Sequence, residues 1–209
     1  MVKKIIWASF YILFALSALA TNAPLCKKDF TLLEAFNIAD FQYCQSLIKK
    51  CPASAALPDE ACVEKMTKKE PRCTQLREVA EKVHGTPATL TAESKGTVTL
   101  IEQLFRADGQ NQYYIISSNS CLIDTMIDPR TLSASLRKKY KKVDFFIVNS
   151  GDPVFQTLLT GEKAFTVPLK VTDTCRACKA VGVATLVFQF DQGGTFQHVR
   201  LQNFKKGNS

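Results

Sequence analysis

Cys175-Arg176-Ala177-Cys178 is the single Cys-x-x-Cys of the chain, and its spacing is the one most able to do chemistry. Two thiols three positions apart can exchange electrons as a dithiol and a disulfide. That requires one exposed sulfur whose thiolate is stabilised by a helix N-terminus or a cation. Arg176 and Lys179 supply positive charge. Yet Ala180-Val181-Gly182-Val183-Ala184 follows as a strand pattern, whereas a thioredoxin-like site runs from strand into helix, and no βαβ unit precedes it. A structural bridge is therefore the first reading, with a redox pair, Cys175 and Cys178, as the alternative. A metal site is disfavoured, because no second Cys-x-x-Cys and only two histidines accompany the motif.

Hydrolysis by a nucleophile needs a base, and His84 and His198 are the only imidazoles. His84 precedes Gly85 at a helix end, where it favours the dipole. His198 falls out of phase with Val199 and Leu201 and points to solvent. Neither belongs to a nucleophile motif, so no catalytic residue is assigned. Asp124 and Asp128 flank Met126, and Asp144 and Asp152 sit at strand ends, where carboxylates cap backbone amides. Gly193-Gly194 is a hairpin turn, not a phosphate loop. No cofactor and no metal are expected.

Arg137-Lys138-Lys139-Tyr140-Lys141-Lys142 is the densest basic run. It can be a solvated, dipole-favourable helix end. It can also be an anion-binding patch made of Arg137, Lys138, Lys139, Lys141 and Lys142, since several cations near an anionic membrane contribute about 1 kcal/mol each. Nucleic acid is not expected, because no exposed aromatic ladder or known module accompanies the charge.

The 209 residues carry a net charge of +8. Lys3 and Lys4, the apolar run from Ile5 to Leu19 and the small-x-small site Ala18-Leu19-Ala20 read as a secretory signal peptide over residues 1–20, cut after Ala20 or alternatively after Ala23. The run falls short of the roughly 20 residues a spanning helix needs. Its removal takes two lysines and no acid, leaving +6. The chain is expected in a periplasm or secreted to the medium, where the eight cysteines 26, 44, 51, 62, 73, 121, 175 and 178 pair as disulfides. Parity sharpens this expectation. If Cys175 bonds Cys178, the five cysteines from Cys26 to Cys73 cannot pair among themselves, and one bridge must reach Cys121.

Residues 26–86 read as a disulfide-rich helical region. Thr31-Leu32-Leu33-Glu34 is a capping-box pattern that predicts a helix from about residue 31 to 50, with Leu32, Phe36, Ala39, Tyr43 and Leu47 on its apolar face. Pro58-Asp59-Glu60 starts a second helix, ended by Pro71. Thr74 to His84 forms a third, striped by Leu76, Val79, Ala80 and Val83, with Gly85 at the left-handed cap position. Such a unit buries too little surface alone and is cross-linked for that reason.

Residues 87–96 read as a polar connector, and 97–204 as a sheet domain. Strands are predicted at 97–105 and 112–117 about an Asp108-Gly109 turn, and at 121–126 after Ser118-Asn119-Ser120. Asp128-Pro129 starts a helix, Val143–Val148 is a strand, and residues 154–162 are read as a short helix and turn. Phe165–Val171 alternates, Ala180–Phe190 is β-branched and aromatic, and Asp191–Gly194 turns the chain into Phe196–Leu201. This is an antiparallel meander, with Lys205–Ser209 as a frayed tail. The fold class is α+β: an antiparallel sheet with helices on one face, preceded by a disulfide-linked helical segment.

QYYIISSNSCLIDTMIDPRTL, residues 112–132, resembles the strand, turn, strand and DPxxL segment of extracytoplasmic PAS/Cache-like sensor domains. Phe165 to Cys178 is similar to the CxxCH-ending stretch of haem-binding sensors of that type. Lys179 stands where the haem-ligating histidine would be, so covalent haem is not implied. The resemblance implies a small ligand held between sheet and helix. The resulting expectation is an exported, non-catalytic binding protein for a small ligand or a protein partner. The alternatives are a thiol-disulfide enzyme or redox sensor at Cys175 and Cys178, and a binder of anionic lipid or polyanion surfaces.

Overall fold

A computed structural model describes residues 31–54, 57–105 and 110–207. The proposed signal peptide, Cys26 and the Asp108-Gly109 turn lie outside the described residues. The chain is α+β, with two antiparallel sheets and a helical unit in three layers.

The helical unit holds α1 (Ile38–Ile48), a two-residue ladder of β1 (Ala53–Ser54) with β2 (Leu57–Pro58), α2 (Glu60–Lys69) and α3 (Thr74–Lys82), with single 3-10 turns at Pro71–Cys73 and Pro87–Thr89. The first helix starts later than the Thr31 capping box predicts. Thr31 bridges Cys121 in the antiparallel sense, and Leu32 N–H donates to the Ser120 carbonyl at 2.9 Å. The cap is Asn37, whose Oδ1 accepts from Ala39 N and Asp40 N. The Gln75 side chain fixes this entry by accepting from Asn37 N at 2.7 Å and donating to the Ala35 carbonyl at 2.6 Å. The buried stripe of α1 is Phe41, Cys44 and Ile48, so Tyr43 and Leu47, expected at the centre of its apolar face, lie on the flanks and Ala39 is exposed.

Asp59 caps α2 as its position before Glu60 predicts, accepting from Cys62 N at 2.8 Å. Leu76, Val79, Ala80 and Val83 of the third helical segment are all buried. Burying each of the larger of these stabilises the fold by about 1.5–3 kcal/mol. The left-handed residue after α3 is His84, with φ 53°, and not Gly85. Gly85 instead lies against the Gln103 side chain, whose amide would have to shift to admit a Cβ, 2.5 Å from Gln103 Nε2. Disulfides Cys44–Cys73 and Cys51–Cys62 staple the three helices.

The four-stranded sheet runs β3 (Leu90–Lys95), β4 (Val98–Phe105), β5 (Gln110–Ile116) and β6 (Leu122–Asp124), each antiparallel to the next. Its first strand occupies the expected connector. As an edge strand it buries little beyond Leu90 and part of Ala92, so its alternation is masked by Thr, Ser, Glu and Lys. The sheet is apolar on both faces. Leu90, Ile101, Tyr114, Ile116 and Leu122 join the helical core, while Val98, Leu100, Tyr113, Ile115 and Ile123 face the second sheet. Cys121, at its margin, is also disulfide-bonded, to a partner outside the described residues.

The second sheet is the expected meander of β9 (Lys163–Asp173), β10 (Ala180–Phe190) and β11 (Phe196–Lys206), extended by β7 (Phe145–Asn149) and β8 (Val154–Thr157). The strands thus divide between two sheets instead of forming one. Residues 154–157, read as helix, form a strand because Phe155 stacks on Phe165 across the ladder at 5.1 Å. Both β7 and β8 pair with the same edge of β9, one on each half, and Pro168 sits where one leaves and the other joins. Its carbonyl accepts from Ser150 N at 3.0 Å. Lacking an N–H, the proline cannot return that bond, and the loss falls just past the end of β7, outside either ladder. Lys205 and Lys206 are not frayed but paired with Val183 and Gly182. Two short helices, α4 (Pro129–Leu132) and α5 (Ala134–Lys139), broken at Ser133, close one end of the interface between the sheets.

Candidate functional site

Cys175 and Cys178 are bonded to each other in the turn between β9 and β10. Cys175 is exposed and Cys178 half-buried. The turn is held by Thr172 Oγ1 donating to the Cys175 carbonyl at 2.6 Å and by Cys178 N donating to the same oxygen at 3.1 Å. Thr174 takes a positive φ of 66° to make the bend. The chain continues from Lys179 directly into β10, so among the described residues no helix starts at the motif. The motif joins two neighbouring strands of one sheet, an arrangement that shortens and stiffens a hairpin.

The carboxylates singled out in the sequence sit at turns. Asp124 Oδ1 accepts from Met126 N at 2.8 Å and from Gln112 Nε2 at 3.5 Å, and Asp128 caps Arg130 N at 2.8 Å. Burial raises the Asp124 pKa, opposed by the bonds from Met126 and Gln112. Asp152 accepts from the Tyr113 hydroxyl. Burial, followed by that carboxylate, pushes the phenol up to about 12. Asp144 lies exposed at the start of β7. His84, in the turn after α3, is exposed and His198, in the last strand, is half-buried, and neither is bonded to a nucleophile among the described residues. Three or more metal-ligating side chains do not converge anywhere among the described residues.

A cavity of about 460 Å³ opens among α2, α3 and the Pro87–Thr89 turn. Val63, Ala80, Pro87 and Ala88 supply apolar walls, while Glu64, Lys68, Arg77 and Glu81 stand around them. Glu64 and Lys68 pair with each other at 2.5 Å. Arg77 Nη2 donates to Thr74 Oγ1 at 3.3 Å, but its buried Nε–H meets no acceptor among the described residues. A buried donor without a partner costs about 1–3 kcal/mol, and a ligand acceptor entering here would recover it. Sequence reasoning did not single out Arg77. The only signal was a cation one turn before Ala80 on an otherwise apolar stripe.

A second feature gathers at one end of the five-stranded sheet. Phe145 pairs with Asp173, Asp173 N donates to the Lys179 carbonyl, and Gly182 and Val183 pair with Lys206 and Lys205. The start of β7, the Cys175–Cys178 turn and the end of β11 are thereby neighbours. Tyr140 is buried against Phe145 and Phe204, with ring centroids 5.5 and 5.7 Å away. This anchor lays Arg137, Lys138, Lys139, Lys141 and Lys142 across the same end, all exposed. Lys179, Lys205 and Lys206 join them, also exposed. The five residues read from the sequence as an anion-binding patch are thus brought together with three that were not assigned to it. Arg130, by contrast, is neutralised by Asp128 at 2.6 Å, lies over the Phe145 ring at 4.2 Å and donates to the Val143 carbonyl at 2.6 Å.

Comparison with known protein families, with characterised proteins and with solved structures finds no match.

Proposed function

We propose that the protein is a non-catalytic binding protein of an oxidising, extracytoplasmic compartment, and that the cavity among α2, α3 and the Pro87–Thr89 turn holds a small amphipathic ligand. The observation that carries this reading is the cavity itself, about 460 Å³ with the unpartnered Arg77 Nε–H in its wall. Its volume falls within the roughly 300–1,000 Å³ common to small-molecule sites. The staples Cys44–Cys73 and Cys51–Cys62 hold the surrounding helices in place before any ligand arrives, which lowers the ordering cost of binding. The ligand has an apolar body and an acceptor, preferably anionic, directed at Arg77. Export is supported by the bonded cysteines, because disulfides persist outside reducing compartments.

The test uses 1-anilinonaphthalene-8-sulfonate, an aromatic body with one anionic group. Saturable fluorescence enhancement at one site is expected, abolished by Ala88→Trp, which fills the cavity, and weakened by Arg77→Ala. Absence of saturable binding, or binding indifferent to Ala88→Trp in a normally melting variant, removes the reading. Trapping a mixed disulfide at Cys175 or Cys178 during turnover of a disulfide substrate would move the assignment to the redox class.

A further inference from the structure

The net charge is not spread over the molecule. Residues 31–86 hold eight cations and eight carboxylates, whereas residues 137–209 hold twelve cations and five carboxylates. Eight of those twelve meet at one end of the five-stranded sheet: Arg137, Lys138, Lys139, Lys141, Lys142, Lys179, Lys205 and Lys206. All are exposed, none is in an ion pair among the described residues, and only Asp144 and Asp173 lie among them. Such an excess within a few strand widths of about 4.8 Å each produces self-repulsion that folding alone does not reward.

Beside this pole, no helix among the described residues lies on the outer face of the sheet. Pairing places Val148, Lys170, Val183 and Lys205 in one row across it, with Phe146 and Thr172 in the next row toward the pole; Val148 and Thr172 are buried, which leaves Phe146 and Val183 as the exposed apolar side chains of these rows. Phe146 and Val183 are 39% and 38% exposed. No carboxylate faces outward in either row. Between the helices and the pole lies a hollow of about 350 Å³, with Arg137 and Lys141 at its rim and Asp128 already neutralised by Arg130.

We infer that this end of the molecule docks on an anionic lipid bilayer. The cations sit over headgroup phosphates, Phe146 and Val183 enter the headgroup boundary, and the hollow beside Arg137 and Lys141 receives one phosphate. Exposed apolar side chains beside a lysine-rich field favour a lipid surface over a soluble polyanion, which offers no apolar phase for them. The inference is independent of the cavity in the helical unit, which lies on the far side of the four-stranded sheet.

The experiment is cosedimentation of the purified protein with vesicles of phosphatidylcholine alone and of phosphatidylcholine with phosphatidylglycerol in equal parts. Binding only to the anionic vesicles is expected, lost when salt rises from about 0.1 M to about 1 M as the Debye length contracts from about 10 to about 3 Å. Lys139→Gln/Lys141→Gln/Lys142→Gln should weaken binding roughly fivefold per charge, about a hundredfold in all. Lys205→Gln/Lys206→Gln should act likewise, and Lys49→Gln/Lys50→Gln/Lys65→Gln in the helical unit should not. Phe146→Ser should weaken vesicle binding about tenfold and leave heparin binding unchanged. Heparin binding without vesicle binding overturns the inference in favour of a polyanion, and equal loss in the helical-unit control reduces it to net charge. Vesicle binding untouched by the triple substitution overturns it outright.

Discussion

Replacing Cys44 and Cys73 by alanine should destabilise the protein more than replacing Cys175 and Cys178. The bonds close separations of 29 and 3 residues. A cross-link removes loop-closure entropy from the unfolded chain in proportion to the logarithm of the loop, which gives about 3.6 kcal/mol for Cys44–Cys73 and about 1.6 for Cys175–Cys178. Cys51–Cys62, with a separation of 11, falls between them at about 2.8 kcal/mol. Burial acts in the same direction, because Cys44 and Cys73 are fully buried while Cys175 is exposed. Alanine is preferred to serine at the buried pair, since a hydroxyl placed there without a partner adds its own cost. Urea unfolding followed by far-ultraviolet circular dichroism separates the two variants by about 2 kcal/mol, or about 1 M in midpoint at a slope of about 2 kcal/mol/M. If the Cys175→Ala/Cys178→Ala protein is the less stable of the two, the assignment of the helical staples as the main cross-links is wrong.

Burial holds the Asp124 pKa above the ordinary aspartate range. The folded state therefore binds this proton more tightly than the unfolded chain, whose value lies near 3.9. The stability contributed is complete below that value and is lost as pH rises through the raised folded pKa. Asparagine in its place keeps an acceptor for Met126 N and Gln112 without that slope, so Asp124→Asn should gain on the wild type between pH 4 and pH 7 in thermal melts; a variant that loses ground over this range contradicts the argument. Gly182→Ala places a Cβ 2.5 Å from the Lys205 carbonyl and 2.7 Å from Phe204 Cζ. Overpacking of that kind costs about 1–3 kcal/mol, read as a lower urea midpoint, and an unchanged midpoint would show that the strand pair can open there.

The elements legible in the sequence are those whose side chains carry their own geometry. Asp59 before an acidic first turn marks α2, and the alternation from Phe165 to Val171 marks β9. The strand runs at 97–105 and 112–117 mark β4 and β5, while the four residues after Phe190 mark the final turn. The misread elements are edges and entries, whose conformation is fixed from outside. Thr31 has the pattern of a cap, but residues 31–36 are drawn to Ser120 and Cys121, sites far along the chain. The strands at Leu90–Lys95 and Val154–Thr157 are largely solvated, so no hydrophobic period announces them. The candidate sites divide in the same way. The run from Arg137 to Lys142 is contiguous and visible. Its union with Lys179, Lys205 and Lys206 depends on strand register, and the unmet Arg77 donor depends on how three helical segments pack.

The four-stranded sheet is a party wall between two interiors. Swinging the helical unit away would wet Leu90, Ile101, Tyr114, Ile116 and Leu122 together. At about 1.5–3 kcal/mol for each large side chain, that penalty rivals the roughly 5–15 kcal/mol separating a typical folded domain from its unfolded chain. Hinged motion of this unit is thus closed to the protein as a way of gating access. A molecule reaching the cavity between α2 and α3 would come from the solvent-facing side, where it is already open.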